Sequence, residues 1–534
     1  MVAGTLLRPN YNSAGIYHPA LLAAGFVALW RFDTAQRRLA FTTTCVAAVA
    51  LGLWGIWQVL VGGEARASAH FESANSLAGL MAVLSVPVTL SLIARPALGG
   101  RAACLAIFAA ASWAAQSRGA SLAVLVGLAV GTAGAWLGGA RLSSRGVAYA
   151  VGAAAVGCLL FVGAATMSRA APTAAAATAP APAPVSVDRR ESLDSRLELY
   201  RASFAAWRSS PILGTGYLSF PYVLEAARPQ VPSYEGAGTF FVHNDYLQTL
   251  QELGVVGLAA LLAMLAAPFV LFLRRRKRWS AHAALTLSMC LGGIAAMGAH
   301  AMVDFPFYVP ATLLVLGGLL GTFARVSAEA EGPAPDPHPA RFRGFLLRAI
   351  AVTAATCVLL PPAVSQACAR LAEWSAEQQE VRRALYWFKV ASNFQPSDWR
   401  YRWVLGRMWT DQALITERRD FAAIAEAEFR AGVDANPLDL HNLLGLIQLH
   451  RRAAHLVARP APPHELAEWS RLALRLAPKH SAARRERVLV LVHLDRWQEA
   501  RQEAQRWIQD DPQNPIAAGL LQRLNRPTWP RSES

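Results

Sequence analysis

The sequence predicts an all-α protein in two parts: a polytopic membrane helix bundle of about ten spans over residues 1–366, and a soluble helical repeat domain over 367–534. Three observations carry this. Of 534 residues, 54% are hydrophobic and 16% charged, against about 25% charged in an ordinary soluble chain. Residues 39–63 and 253–273 carry no charge at all, and about 20 apolar residues suffice to cross a bilayer as a helix. Finally, basic residues cluster in alternate loops between the apolar runs.

Charge-poor runs place spans near 16–31, 39–61, 76–94, 102–116, 119–140, 146–168, 246–273, 281–303, 309–324 and 345–366, the fourth being the shortest. The basic loops "RFDTAQRR" (31–38), "ARPALGGR" (94–101), "ARLSSRG" (140–146), "RRRKR" (274–278) and "RFR" (341–343) then fall on one side, assigned to the cytoplasm. The net charge of +16 is thereby read as positive-inside bias rather than a nucleic-acid footprint. The large loop 169–245 and the tail after 366 lie on the outer side, the periplasm if this is the inner membrane of a Gram-negative cell. The amino terminus also falls outside with no cleavable signal before the first span. Either spans are missing from this start or the first segment inserts unusually, and the former is favoured.

The outer loop opens with an Ala/Pro tether, "APTAAAATAPAPAPV" (171–185), which cannot build a core. An amphipathic helix is expected from about Asp194 to Arg208, with Leu197, Tyr200, Phe204 and Trp207 at helical spacing and a stop at Pro211 and Gly214; it should lie at the membrane surface. In the tail, Pro396, Pro437, Pro478 and Pro512 each separate two helical patterns, at spacings of 41, 41 and 34 residues. Tetratricopeptide-type hairpins repeat at about 34, so degenerate repeats with insertions are expected, the alternative being an irregular helical bundle. Cys45, Cys104, Cys158, Cys290, Cys357 and Cys368 fall in or at the ends of apolar runs without a CxxC, and read as small core residues rather than a zinc site or disulfide framework.

The stretch "FVHNDYLQTLQELGVVGLAALL" (241–262) holds the chemistry. A helix starting near His243 puts Asp245, Gln248 and Glu252 on one face, so a polar stripe enters the bilayer where such groups are costly and mark function. Gly254 and Gly257 would allow close helix approach. His243 has a pKa suited to taking a proton from an acceptor hydroxyl, with Asp245 or Glu252 orienting it; the alternative is an interfacial histidine in a structural hydrogen bond. Arg118, in the outer turn "AQSRGAS", and Arg196 and Arg201 on the outer-loop helix offer guanidinium forks suited to a phosphate or diphosphate. Singly each reads as a solvated or snorkelling residue; together they suggest an anion site. The outer turn "AHAMVDFPFYVP" adds His300 and Asp304. A metal held by His243, Asp245, His300 and Asp304 is conceivable, but no tight ligand spacing supports one. A Gly-rich phosphate loop, GxSxG and HExxH are all absent, which argues against an ATP-driven pump, a serine hydrolase and a zinc protease.

On these residues the chain resembles the O-antigen ligase and O-antigen polymerase superfamily, which includes bacterial protein O-oligosaccharyltransferases. The matching pieces are "HFESANSLAGLMAVLSVPVTL" (70–90), "QSRGASLAVLVG" (116–127), "SRLELYRASFAAWRSSPILGTGYLSF" (195–220), "HNDYLQTLQELGVVGL" (243–258) and "HAMVDFPFYVPATLLVLGGLLG" (300–321), in family order. The resemblance implies a metal-independent and cofactor-independent membrane glycosyltransferase. It would take a glycan from an undecaprenyl diphosphate carrier on the outer face and move it to a hydroxyl acceptor. Carried over by motif, Arg118 and Arg196 hold the diphosphate, His243 activates the acceptor or orients the donor, and Glu252 supports; Arg201, Asn244, Asp245, His300 and Asp304 are expected around the substrate. The acceptor is lipid A core for a ligase, a Ser or Thr of a pilin-like protein for an oligosaccharyltransferase, or another lipid-linked repeat for a polymerase. The ligase ranks first, since "HNDYLQ" is similar to that branch. The partners expected are thus the lipid-linked donor, the lipid or protein acceptor, membrane lipids and a protein docked on the repeat domain, with no nucleic acid. A lipid-diphosphate transporter and a repeat-bearing scaffold remain as non-enzyme readings.

Overall fold

A computed structural model describes residues 13–170 apart from 70 and 72, 189–227, 241–330, 361, and 364–525 apart from 397. All regular structure among the described residues is helical. The chain divides into two compact units, residues 18–197 with 241–349, and residues 1–17, 198–240 and 350–534.

In the first unit the apolar runs become α1 (Ser13–Arg31), α2 (Thr34–Leu60), α3 (Ala74–Ala94), α4 (Gly100–Ala114), α5 (Arg118–Leu137) and α6 (Ser144–Ala170). Later in the chain come α9 (Asp245–Arg275), α10 (Ala281–His300) and α11 (Pro310–Glu329). Among the described residues seven helices, α2, α3, α5, α6, α9, α10 and α11, are long and apolar enough to cross a membrane, so this is a multi-pass membrane protein. α4 is apolar but has only 15 residues. The tether, Cys357, the basic loop at 341–343 and nearly all of the expected span 345–366 lie outside the described residues.

Side-chain chemistry sets the starts of these helices. Asp33 and Gln36 form a reciprocal capping box on α2, and Ser73, Ser117 and Ser280 cap α3, α5 and α10 by accepting from backbone N–H groups left unpaired in the first turn. α3 is apolar all round and buried continuously from Ser76 to Leu90, the pattern of a central helix. α5 packs on α10 through missing side chains: a Cβ on Gly127 would stand 2.7 Å from the Gly292 carbonyl oxygen, and Gly131 and Gly134 face Leu90 and Ser288 just as closely. Small residues let helix backbones approach where lipid supplies no hydrophobic drive.

The alternating loops sort to two ends. At the basic end Arg37 binds Glu329 at 2.8 Å, Arg95 Nη2 lies 3.4 Å from His282 Nδ1, and the Ser143 N–H donates to the Ile93 carbonyl. At the other end the Ala67 N–H donates to Ala114, and the Asp245 N–H to Ala301. Cys45 and Cys290 are buried and Cys104 and Cys158 half-buried in this unit.

The second unit takes the later part of α7 (Arg189–Ser209), α8 (Phe220–Ala227), and α12 (364–377), α13 (Val381–Phe394), α14 (Trp399–Thr416), α15 (Arg419–Ala435), α16 (Leu440–Arg452), α17 (Pro463–Leu476), α18 (Ser481–His493), α19 (Trp497–Asp510) and α20 (Pro515–Leu524). α7 forms where the amphipathic helix was expected but buries a different face: Leu199, Ala202, Ser203 and Ala206 are covered, while Leu197 and Phe204 stay exposed. From α13 onward each helix packs on the next, and α14, α16 and α18 also pack on one another in sequence. Every expected proline sits in a turn, and Asp398, Asp439 and Asn514, each two residues after one, cap α14, α16 and α20. α16 and α18 are covered on most sides, and their buried charged groups are bonded: Arg451 meets Glu486 at 3.1 Å, and Arg487 donates to the neutral Ser470 Oγ at 2.9 Å. Cys368 is buried against α13 and α14. α8 joins this unit through Tyr222, whose phenol oxygen accepts from the Trp399 indole at 2.7 Å. Burial pushes that phenol up to about 12.

Candidate functional site

The end of the membrane unit away from the basic loops gathers the polar residues. Asn244 caps α9, its Oδ1 accepting from the Leu247 N–H at 3.0 Å, so the helix starts at Asp245 and His243 stands just outside it. His243 has φ 59°, a left-handed conformation uncommon for a residue with a side chain. Its Nδ1 lies 3.2 Å from Asp304 Oδ1, with His243 27% and Asp304 2% exposed, and its ring meets the edge of Phe305. An ionised carboxylate only accepts. Against an ionised Asp304, Nδ1 would carry the proton and Nε2 would be left as the basic nitrogen, an arrangement that suits a general base oriented by an acid.

Asp304 comes from the turn between α10 and α11, and the same turn carries His300, whose Nε2 is 3.8 Å from Asp304 Oδ2. His300 fits because two glycines face it. A Cβ on Gly79 of α3 would stand 2.8 Å from the ring, and one on Gly119 of α5 would meet Val303 and then the same ring. Three helices thus converge on His300, with Asp304 between the two imidazoles.

The stripe Asp245, Gln248 and Glu252 is fully buried, and it holds the turn rather than the histidine. Asp245 Oδ2 accepts from the Phe307 N–H at 2.7 Å. Gln248 accepts from the Val242 N–H at 3.0 Å and donates to Glu252 at 3.0 Å, and the Tyr308 hydroxyl donates to Glu252 at 2.8 Å. The carboxylate that lies against His243 Nδ1 is that of Asp304, whereas Asp245 and Glu252 bond Phe307 and Tyr308, because α9 begins at Asp245 and turns that carboxylate inward. The expectation for Gly254 is corrected. It breaks α9 with φ 67° and ψ −169°, a conformation open mainly to glycine, and so separates the polar first turns from the apolar span. A Cβ on Gly257 would meet Leu253 of the same helix, not a neighbour.

Three arginines border this region. Arg118 is the first residue of α5, exposed, next to Gly119 and hence to the Val303–His300 turn. Arg196 is half-buried on α7. Arg201, exposed five residues further along α7, belongs to the other unit. The third in this unit is Arg66, which sequence reasoning missed. It lies in the strap between α2 and α3, its Nε donating to the Ala115 carbonyl at 2.9 Å and its Nη2 to Asn75 Oδ1 at 2.8 Å. Arg66 is exposed as a residue; partial burial of its guanidinium lowers it from the usual arginine range, the Asp304 carboxylate opposing that shift and Arg196 adding to it. The signal for Arg66 was its end of the bundle: it is an arginine in a loop opposite the basic clusters. Among the described residues no three His, Cys, Asp or Glu side chains converge as a metal site would require.

Residues 102–262 match the protein family described as O-antigen ligase. The match supports a membrane glycosyltransferase of the O-antigen ligase and polymerase type. It spans Arg118, Arg196, Arg201, His243, Asn244, Asp245 and Glu252, and leaves Arg66, His300 and Asp304 outside. No curated protein matches the chain.

Proposed function

We propose that this protein transfers a glycan from an undecaprenyl diphosphate carrier to a hydroxyl acceptor at the outer face of the bacterial inner membrane, with lipid A core as the acceptor and without a nucleotide or metal. The observation that carries the reading is His243, half-exposed in a strained turn with its Nδ1 on a buried carboxylate and with arginines bordering the same end of the bundle. The acceptor oxygen attacks the anomeric carbon, its proton passes to His243 Nε2, and the sugar–oxygen bond to the diphosphate breaks. Negative charge grows on the departing diphosphate, so Arg118 and Arg196 stabilise the transition state more than the ground state. Glu252 and Asp245 act at one remove, by fixing the 301–309 turn that carries Asp304. His300 wedges the same turn between α3 and α5. The basic loops at the opposite end support an outer location for the site under the positive-inside rule.

A second acceptor is favoured by one feature. The tail packs its helices in sequence, as stacked repeats do, and a tetratricopeptide-like surface of that kind suits a protein substrate, as in protein O-glycosylation. Replacing the chromosomal copy with His243→Ala, and quantifying glycan on carrier lipid, lipopolysaccharide, secreted polysaccharide and envelope proteins by mass spectrometry, separates the readings. Carrier-linked glycan should rise while one acceptor fraction loses its sugar, and that fraction names the reaction. Continued transfer would remove His243 from the chemistry; unchanged export with no transfer in either strain would leave a lipid-diphosphate transporter.

A further inference from the structure

Arg66 is placed with unusual care for a loop arginine. The strap that carries it is pinned on both sides: Gln58 Oε1 accepts from the Ser68 and Ala69 N–H groups at 3.2 and 2.6 Å, the Ala67 N–H donates to Ala114 at 3.1 Å, and the Gln116 amide donates to Ala65 at 3.3 Å. The guanidinium itself is fixed by Ala115, three residues before Arg118, and by Asn75 in the first turn of α3. A guanidinium has five N–H groups; these bonds engage Nε and one on Nη2, leaving Nη1 and the second Nη2 N–H. Among the described residues no carboxylate bonds this cation. The carboxylate whose field reaches it, Asp304, is already bonded to His243, and its other charged neighbour is Arg196. A cation fixed in a pinned strap, with the charge of Arg196 acting on it, favours an anion that bridges the two.

We infer that Arg66 is a further binding residue of the donor site, a guanidinium that takes an oxygen of the lipid-linked diphosphate alongside Arg118 and Arg196, with Asn75 as its positioning residue. The inference rests on the donor reading above and adds to it a residue outside both the matched family region and the catalytic stretch. Its consequence is selectivity. Two phosphates need more donors than one, so Arg66 contributes to binding of a diphosphate and little to that of a monophosphate. Lysine does not substitute fully, because a point charge lacks the planar fork.

The test uses the full-length protein in phosphatidylcholine nanodiscs, with undecaprenyl diphosphate and undecaprenyl monophosphate as probes and phosphatidylglycerol as the bulk-lipid competitor. Arg66→Ala should weaken diphosphate binding about tenfold and Asn75→Ala about threefold, the loss of one charge-assisted contact and of its alignment. Monophosphate binding should stay within about twofold, and Arg66→Lys should fall between wild type and alanine. If Arg66→Ala does not fold, as judged by thermal unfolding, Arg66→Lys and Asn75→Ala decide. Unchanged diphosphate binding in the Arg66 variants, with loss in Arg118→Ala and Arg196→Ala, overturns this inference alone. Equal weakening toward diphosphate and phosphatidylglycerol makes Arg66 a bulk-lipid contact and overturns it as well. A wild type that binds no diphosphate overturns the donor reading and this inference together.

Discussion

Asp304→Asn separates a positioned base from a structural histidine. Asp304 is 2% exposed and bonded to His243 Nδ1 at 3.2 Å, and asparagine keeps its shape while losing its charge. Two things change. A hydrogen bond to a charged group, about 1.5–3 kcal/mol, becomes a neutral one. The amide can also donate to Nδ1, which leaves the proton on Nε2 and removes the base. General-base catalysis contributes about 10²- to 10⁴-fold, so kcat should fall by that range, about 2.7–5.4 kcal/mol in the barrier. Donor affinity should not fall. The Asp304 carboxylate acts on Arg66, and its removal leaves that cation freer for the diphosphate, so KM for the donor should hold or drop. The assay is transfer of labelled glycan from lipid-linked donor in vesicles holding the full-length protein, with Asp304→Glu as the variant that retains charge and should recover part of the rate. A kcat within threefold of wild type in Asp304→Asn, or a loss confined to KM, would refute the reasoning.

Three further outcomes follow from the packing. Tyr308→Phe removes the hydroxyl that donates to buried Glu252 and should cost about 1–3 kcal/mol of stability, read as a lower thermal midpoint in detergent; an unchanged midpoint would detach Glu252 from the turn. Gly127→Ala puts a Cβ 2.7 Å from the Gly292 carbonyl and should lower both the midpoint and the yield of folded protein, whereas Gly152→Ala on α6 meets open space and should be neutral or stabilising by up to about 1 kcal/mol; equal effects at both sites would contradict the packing of α5 on α10. Tyr222 is pushed up to about 12 by burial, above its ordinary value near 10, so its contribution is intact below about pH 10 and lost as pH rises through about 12. The late part of the tyrosinate absorbance change should lose the amplitude of one tyrosine in Tyr222→Phe, and an undiminished late amplitude would place Tyr222 at the surface.

Much of the architecture was legible because lipid imposes it. Uncharged runs have to be helices that satisfy their own backbone, and the basic loops had to sort to one end, as Arg37 with Glu329 and Arg95 with His282 show. Apolar size misled at α7: helical spacing picked out Leu197 and Phe204, yet the chain buries Ala202, Ser203 and Ala206. The glycines at 254 and 257 read as packing glycines, and only the backbone angles show that Gly254 ends a helix.

The sequence by itself determined the helical class, the course of the spans, the prolines between tail helices and the residue types of the site, because hydropathy, turn chemistry and charge act locally. The tertiary structure alone decided the pairings. That His243 meets Asp304 across 61 residues, that Asp245 and Glu252 serve the turn instead, and that Arg66 borders the same end depend on which helices lie side by side. Local patterns carry no record of that: it is set by glycines such as Gly79, Gly119 and Gly127, which let the helices close until distant polar groups come within bonding distance.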